Sequence, residues 1–279
     1  MIIDDIEISD DRVVDVGRLN VVMRSRNGVA CVNRYSPIGR SMMFYGEHAH
    51  NELEFCVQFI KPGSVVLDVG AHQGTHTLRF ASATGIAGHV YAFEPQRLMY
   101  QNVCASSALN SLENVTAKNV AVGSTTGNVR IAKFDYSRRA HFSGMRISDE
   151  NTGEQVELVV LNNVLPPEAV NRVSFVKVDV EGMELDVLQG AECILDEARP
   201  TVYCEYHHDA AGLGAGNLLK YLKAKGYTIF EHKPAGYNPN NYFGYIGDRF
   251  QGGVDHNIIC IHRENVAAYR DSIASLVLL

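Results

Sequence analysis

The chain has 279 residues, 46% of them hydrophobic and 20% charged, with a formal net charge of −7. That balance suits one large domain with a full core, and the negative charge argues against nucleic acid as partner, because phosphate binders carry a basic field. No run approaches the ~20 apolar residues of a membrane span, and the acidic start Met1-Ile2-Ile3-Asp4-Asp5 does not read as a secretory signal. The six cysteines (Cys31, Cys56, Cys104, Cys193, Cys204 and Cys260) form no Cys-x-x-Cys pair. They predict buried thiols in a reducing, cytoplasmic setting rather than a zinc site.

Residues 1–47 read as a β-rich extension. Short strands are predicted at 13–16, 19–23 and 29–33, preceded by Asp10-Asp11, broken by the hairpin turn Arg26-Asn27-Gly28, and ended by Pro37-Ile38-Gly39. Strands of this kind can pair between subunits, so a homo-oligomer is among the expectations. Residues 48–279 read as the main domain. A helix over 48–60 puts Leu53, Cys56, Val57 and Ile60 on one face, and Pro62-Gly63 ends it. Regular βα alternation follows: a buried strand over 65–69, a helix from about Thr75, a strand over 90–93, a helix over about 96–109 and a strand over 115–120.

Strands at 128–132 and 156–161, with a polar stretch between them, read as an inserted hairpin or lid spanning about 128–161. The core resumes with a strand at 174–178. A helix from Met183 to about Leu195 carries Val187, Leu188, Ala191, Ile194 and Leu195 on one stripe. A strand at 201–205 and a short helix capped by Asn217 and ended by Gly226 come next. Strands at 227–231 and 257–261 close the pattern, joined by a turn-rich loop. The expected fold is α/β: a Rossmann-like, doubly wound, seven-stranded, mostly parallel sheet.

Val66-Leu67-Asp68-Val69-Gly70-Ala71-His72-Gln73-Gly74 runs from a buried strand into a glycine turn and a helix start. A strand of this kind delivers the chain to the carboxyl edge of the sheet, where ligands bind. Gly70 permits close backbone approach, and the helix start at Gly74 and Thr75 offers free N–H groups. Glu94, ending the next strand before Pro95, is placed to accept both hydroxyls of a ribose. The glycines alone would equally suit a plain strand end. The dinucleotide pattern G-x-G-x-x-G is absent, because His72 stands where its middle glycine would be. Asp68 suits an ammonium group. These features favour S-adenosylmethionine over a nicotinamide or flavin cofactor.

The chain also resembles the FkbM-type methyltransferases, class I S-adenosylmethionine enzymes that mostly O-methylate sugars and related natural products. The most specific motif is Val176-Lys177-Val178-Asp179-Val180-Glu181-Gly182-Met183-Glu184, followed by Val187-Leu188-Gln189-Gly190-Ala191 and Arg199-Pro200. Tyr91-Ala92-Phe93-Glu94-Pro95, Asn119-Val120-Ala121-Val122-Gly123 and Tyr237-Asn238-Pro239-Asn240-Asn241-Tyr242 add to it. The family commonly has Asn at the positions of His72 and Gln96, and Cys204-Glu205-Tyr206-His207-His208 is less typical of it. The resemblance implies that Asp68, Gly70, Gly74 and Glu94 hold the cofactor, that Asn119 and Val120 lie against its adenine, and that Asp179 and Glu181 stand near the reacting methyl. Ala71, His72, Thr75 and Pro95, within the same turns, complete the expected cofactor set.

Methyl transfer to an alcohol needs alignment of the acceptor and a base for its proton. Asp179, Glu205 and His207 are the candidate bases, with Glu181 close by, although His207 and His208 would also pass as ordinary loop histidines. Glu184 suits a helix N-terminus. The same carboxylates and histidines could hold a divalent metal. The polar insert Asp135-Tyr136-Ser137-Arg138-Arg139-Ala140-His141-Phe142-Ser143-Gly144 offers aromatic rings for sugars and guanidinium groups for carboxylates or phosphates. The leading expectation is an O-methyltransferase for a glycan or small-molecule hydroxyl, acting on neither nucleic acid nor membrane. N-methylation of an amine or peptide and a non-catalytic cofactor-fold scaffold are the alternatives.

Overall fold

The structure is a computed structural model. It describes residues 13–15, 17–139, 153–206 and 215–279. Strands β1 (Val13–Asp15), β2 (Asn20–Ser25) and β3 (Gly28–Asn33) form a small antiparallel sheet. Ser25 pairs with Gly28, so the β2–β3 loop is the expected Arg26-Asn27 turn. β3 lies against the helix Arg97–Leu109. Two of its N–H groups are taken up from that side: Val29 donates to Asn110 Oδ1 at 2.8 Å and Cys31 to Ser106 Oγ at 2.9 Å. The helix side chains thus satisfy polar groups that an open sheet edge would expose.

The main sheet contains β4 (Val65–Val69), β5 (His89–Phe93) and β6 (Val115–Lys118). A second small sheet has β7 (Ala121–Val122), β8 (Gly127–Ile131) and β9 (Glu154–Val159). β10 (Val173–Val178), β11 (Thr201–Glu205), β12 (Tyr227–His232), β13 (Asn257–His262) and β14 (Val277–Leu278) complete the main sheet. Its order is β14-β12-β13-β11-β10-β4-β5-β6. The pairings from β11 to β6 are parallel and those through β13, β12 and β14 antiparallel. The sheet therefore has eight strands rather than seven. The addition is the two-residue edge strand β14, too short to show as a periodicity.

Central strands are buried on both faces. Val65, Leu67 and Val69 join one core cluster with Val176, Val178, Val202 and Cys204. Val66 points the other way, into a cluster with Phe80, Phe175 and Tyr203. This explains the mostly apolar run at 65–69 in place of alternation.

Four expectations about local structure need correction. Pro37 does not merely end the extension: it opens a helix, Pro37–Tyr45. Ser36 caps that helix, its Oγ accepting from Gly39 N–H at 2.9 Å, and proline fits the first helical turn because its missing N–H would be unpaired there. The helix expected over 48–60 is His50–Cys56 followed by a 3-10 turn, Val57–Phe59. The helix expected from Met183 to Leu195 is two, Glu184–Gln189 and Glu192–Glu197. They separate at Gly190, where a Cβ would fall 2.1 Å from the Gly123 carbonyl oxygen. Finally, Asn217 lies inside the helix Ala215–Ala224 instead of capping it.

The loop before β13 is tied to the N-terminal half through Glu47, which is buried. Its carboxylate accepts from Asn238 Nδ2 at 2.7 Å and Tyr242 N–H at 3.0 Å and pairs with Arg26. Among the described residues no helix is long and apolar enough to cross a membrane. All six cysteines are free, and four of them are buried.

Replacing Glu47 by Ala leaves three donors without their acceptor. The variant should lose about 2–4 kcal/mol of stability, read as a lower denaturation midpoint. Faster amide exchange around Asn238 and Tyr242 should accompany it, and unchanged exchange there would show that Glu47 does not hold the loop.

Candidate active site at the carboxyl edge of the sheet

A cleft of about 740 Å³, open mouth included, lies at the carboxyl ends of β4, β5 and β10. Val69, Gly70 and His72 line it from the first turn, Phe93, Glu94, Pro95 and Gln96 from the second, and Asp179, Val180, Glu181 and Met183 from the third. Ile38, Val120, Ala121, Val122 and Ile131 supply apolar surface. This is the position at which open α/β sheets bind ligands.

Gly70 sits at φ +81°, and a Cβ there would fall 1.9 Å from the Asp179 carbonyl oxygen. Only glycine lets the ends of β4 and β10 meet this closely. His72 is also left-handed, at φ +48°. Asn and His enter that region more readily than most residues, so histidine fits where the resembled family commonly has asparagine. The His72 ring is buried, neither of its nitrogens has a hydrogen-bond partner, and burial lowers its pKa to about 3. The imidazole is therefore neutral at physiological pH.

Glu94 is 4% exposed. Its carboxylate accepts from His72 N–H at 2.7 Å and Gln96 N–H at 2.8 Å. Burial pushes its pKa up to about 7, against the opposing pull of those two bonds. A carboxylate has about four acceptor positions, so two remain for hydroxyl donors. Asn119 Nδ2 donates to the carbonyls of Glu94 and Pro95, both at 2.9 Å, and holds this turn in place. Tyr136 reaches over from the insert, its hydroxyl donating to Gln96 Oε1 at 3.1 Å.

Asp68 lies beneath the cleft and does not line it. It is fully buried; Thr77 donates to its Oδ2 at 2.6 Å, and Lys177 Nζ stands 3.4 Å from its Oδ1. The ammonium that Asp68 meets belongs to the chain itself. Lys177 also stands 3.4 Å from Asp179 Oδ2 and donates to the Gly70 carbonyl at 2.8 Å. Burial alone would lower its pKa, but the charges of Asp179, Asp68 and Glu52 outweigh that and raise it. Ala71, Gly74 and Thr75 are likewise outside the cleft lining. Gly74 packs on Val103, and Ala71 and Thr75 are buried at the helix start.

Asp179, Glu181 and Glu205 come together, one ligand atom from each lying within 4.8 Å of the others. Glu205 is pushed up to about 9, first by burial and then by Asp179, Glu181 and Glu184, so it holds a proton at neutral pH. Glu181 is left-handed, at φ +57°. Glu184 accepts from Gly182 N–H at 3.0 Å and so serves its own helix start. His207 and His208 lie outside the described residues. Sequence reasoning missed Ile38, Phe93, Val122 and Ile131 as walls. The Ser36-Pro37 capping pair would have placed Ile38 on a helix.

The methyltransferase FkbM domain model matches residues 68–229, more than half of the chain. The methyltransferase sdnD of Sordaria araneosa is 28% identical over 156 residues, which is 46% of this chain and 60% of that protein. The chain thus aligns with about 60% of the length of this curated relative. Among solved structures, a methyltransferase FkbM from Methylobacillus flagellatus KT is 16% identical with a TM-score of 0.46, covering 75% of this chain and 50% of that one. The O-methyltransferase TomG from Streptomyces achromogenes, solved with SAM, is 11% identical with a TM-score of 0.46, covering 75% of this chain and 77% of that one. The match to the domain model, which contains both the glycine turn and the Asp179 motif, shows that the chain belongs to the FkbM methyltransferase family.

Proposed function

We propose that this chain is an S-adenosylmethionine-dependent methyltransferase that O-methylates a hydroxyl of a sugar, glycan or small natural product. The observation that carries this reading is that Glu94 and Asp179 line one cleft. The residues fit the cofactor. Glu94 is a buried acceptor with two positions left for ribose hydroxyls, Phe93, Val120, Val122 and Ile131 give an apolar wall for an adenine, and the buried His72 ring has hydrogen-bonding capacity to spare. When bound, the cofactor supplies an electrophilic methyl on a sulfonium. The chain's own residues have two remaining tasks, orienting the acceptor and taking its proton.

Asp179 is the group for the proton. It lines the cleft and its side chain is 43% exposed, so an acceptor hydroxyl can reach it. Lys177 Nζ stands 3.4 Å from its Oδ2. Burial and the charges of Asp179, Glu181 and Glu184 push the Glu205 pKa up, which favours Asp179 over Glu205 for this task. A divalent cation on Asp179, Glu181 and Glu205 is the second reading, favoured by their mutual distance. A cytoplasmic location agrees with six unpaired cysteines.

Three measurements test these statements. Asp179→Asn should lower kcat for methyl transfer by about 10²–10⁴-fold while cofactor affinity stays within a few-fold, whereas full turnover would remove Asp179 from the reaction. Glu94 must be ionised to accept two hydroxyls, so below pH 7 S-adenosylmethionine affinity should fall by up to about tenfold per pH unit, and above it should level off. Glu94→Gln should bind weakly and lack this slope; an identical slope in both proteins would assign it to the ligand. Turnover should survive exhaustive chelation, and a loss restored by Mg²⁺ would establish the cation reading instead.

A further inference from the structure

A second cleft, of about 1060 Å³ with its mouth, lies on the neighbouring side of the helix Pro37–Tyr45. Arg40, Phe44 and Tyr45 line it from the helix, and Arg249 and Phe250 face them from the loop before β13. Ile38, on the flank of the same helix, lines the cofactor cleft. The same helix therefore contributes to the walls of both clefts.

The second cleft concentrates positive charge in an acidic protein. Arg40 has no hydrogen-bond or ion-pair partner for its side chain among the described residues. Its pKa is lowered first by burial and then by the charges of Arg139 and Arg249, and of these Arg249 lines the cleft with it. Arg249 is held by neutral groups. Its Cζ lies 3.8 Å from the centroid of the Phe44 ring, and its Nε and Nη2 donate to the Tyr245 hydroxyl at 3.2 and 2.8 Å. Behind it, Tyr45 stacks on Phe250 and accepts from Arg249 N–H at 2.9 Å. The carboxylate in the lining, Asp248, is committed to its own turn, accepting from Phe250 N–H at 2.8 Å and Gly252 N–H at 2.6 Å. Arg139 follows Tyr136, which is anchored on Gln96 at the edge of the cofactor cleft.

Arg249, fixed on the Phe44 ring, and Arg40 line one cleft whose carboxylate, Asp248, is engaged by backbone N–H groups; such a pair suits an oxyanion, because a bound phosphate or carboxylate relieves their repulsion and accepts paired N–H bonds. We propose that the cleft between Arg40 and Arg249 binds the phosphate or carboxylate of an acidic acceptor, placing that acceptor's hydroxyl in the neighbouring cleft beside Asp179. The acceptor role rests on the methyltransferase reading above; the oxyanion site itself does not.

The test is calorimetric titration of glucose, glucose 6-phosphate, glucuronate and inorganic phosphate at low salt, with S-adenosylmethionine titrated in parallel. At least one charged sugar should bind tenfold or more tightly than glucose, and the stronger of the two identifies the anion. Arg40→Gln and Arg249→Gln should each cost that ligand tenfold or more and leave S-adenosylmethionine affinity unchanged. If either variant unfolds, Arg40→Lys, which keeps the charge and loses the fork, and the exposed Arg139→Gln serve instead, each with an expected loss of at least threefold. Equal weak binding of all four probes, or anion binding that ignores every arginine variant, would overturn the proposal. Absence of S-adenosylmethionine binding with anion binding intact would overturn the methyltransferase reading and leave the oxyanion site standing.

Discussion

The buried ammonium of Lys177 is the contact on which the site is built. Its side chain is 4% exposed, and it meets Asp68, Asp179 and the Gly70 carbonyl together. A charge in that position is tolerable only when paired and hydrogen-bonded. β4 contributes Asp68 and the Gly70 carbonyl, and β10 contributes Lys177 and Asp179. The two stretches that define the family are thereby locked to each other, and removing the lysine would leave Asp68 as an uncompensated buried carboxylate. Gly70 completes the lock sterically, since any side chain there would collide with the Asp179 backbone.

From this lock the layout of charge follows. Asp68 pairs with Lys177 below the cleft, while Glu94, which lines the cleft, is held by the backbone N–H groups of His72 and Gln96. On the β10 side, carboxylates crowd together, and the proton on Glu205 relieves that crowding. Beyond the helix Pro37–Tyr45 the balance inverts and arginines gather. An acceptor lying between carboxylates and arginines would meet a field that orients it, with its hydroxyl toward Asp179 and its charged end away from it.

Much of this was legible in the sequence, for identifiable reasons. The mostly apolar run at Val65–Val69, interrupted only by Asp68, reads as a strand covered on both faces, and the acidic residue at the end of the next strand marked Glu94. A lysine inside the apolar strand β10 was itself a signal, because such a residue requires partners; the sequence did not say that Asp68 was one of them. A carboxylate beside a ligand-binding turn looks the same whether its cation comes from a ligand or from another strand. The need for glycine at 190 depends on the Gly123 carbonyl, far away in the chain, which no local pattern reveals. The helix Pro37–Tyr45 was hidden by reading proline as a terminator, though Ser36 before it carried the opposite meaning. That helix proved central, since it walls both clefts.

The central claim is that the cleft at the end of β4, β5 and β10 holds S-adenosylmethionine with its ribose on Glu94 and its methyl-bearing end toward Asp179. A crystal structure of the protein with S-adenosylhomocysteine tests it most directly. The claim predicts ribose hydroxyls within hydrogen-bond distance of Glu94, the adenine against Val120 and Ile131, and the sulfur on the Asp179 side. Nucleoside density elsewhere, or a ribose that leaves Glu94 untouched, would contradict it.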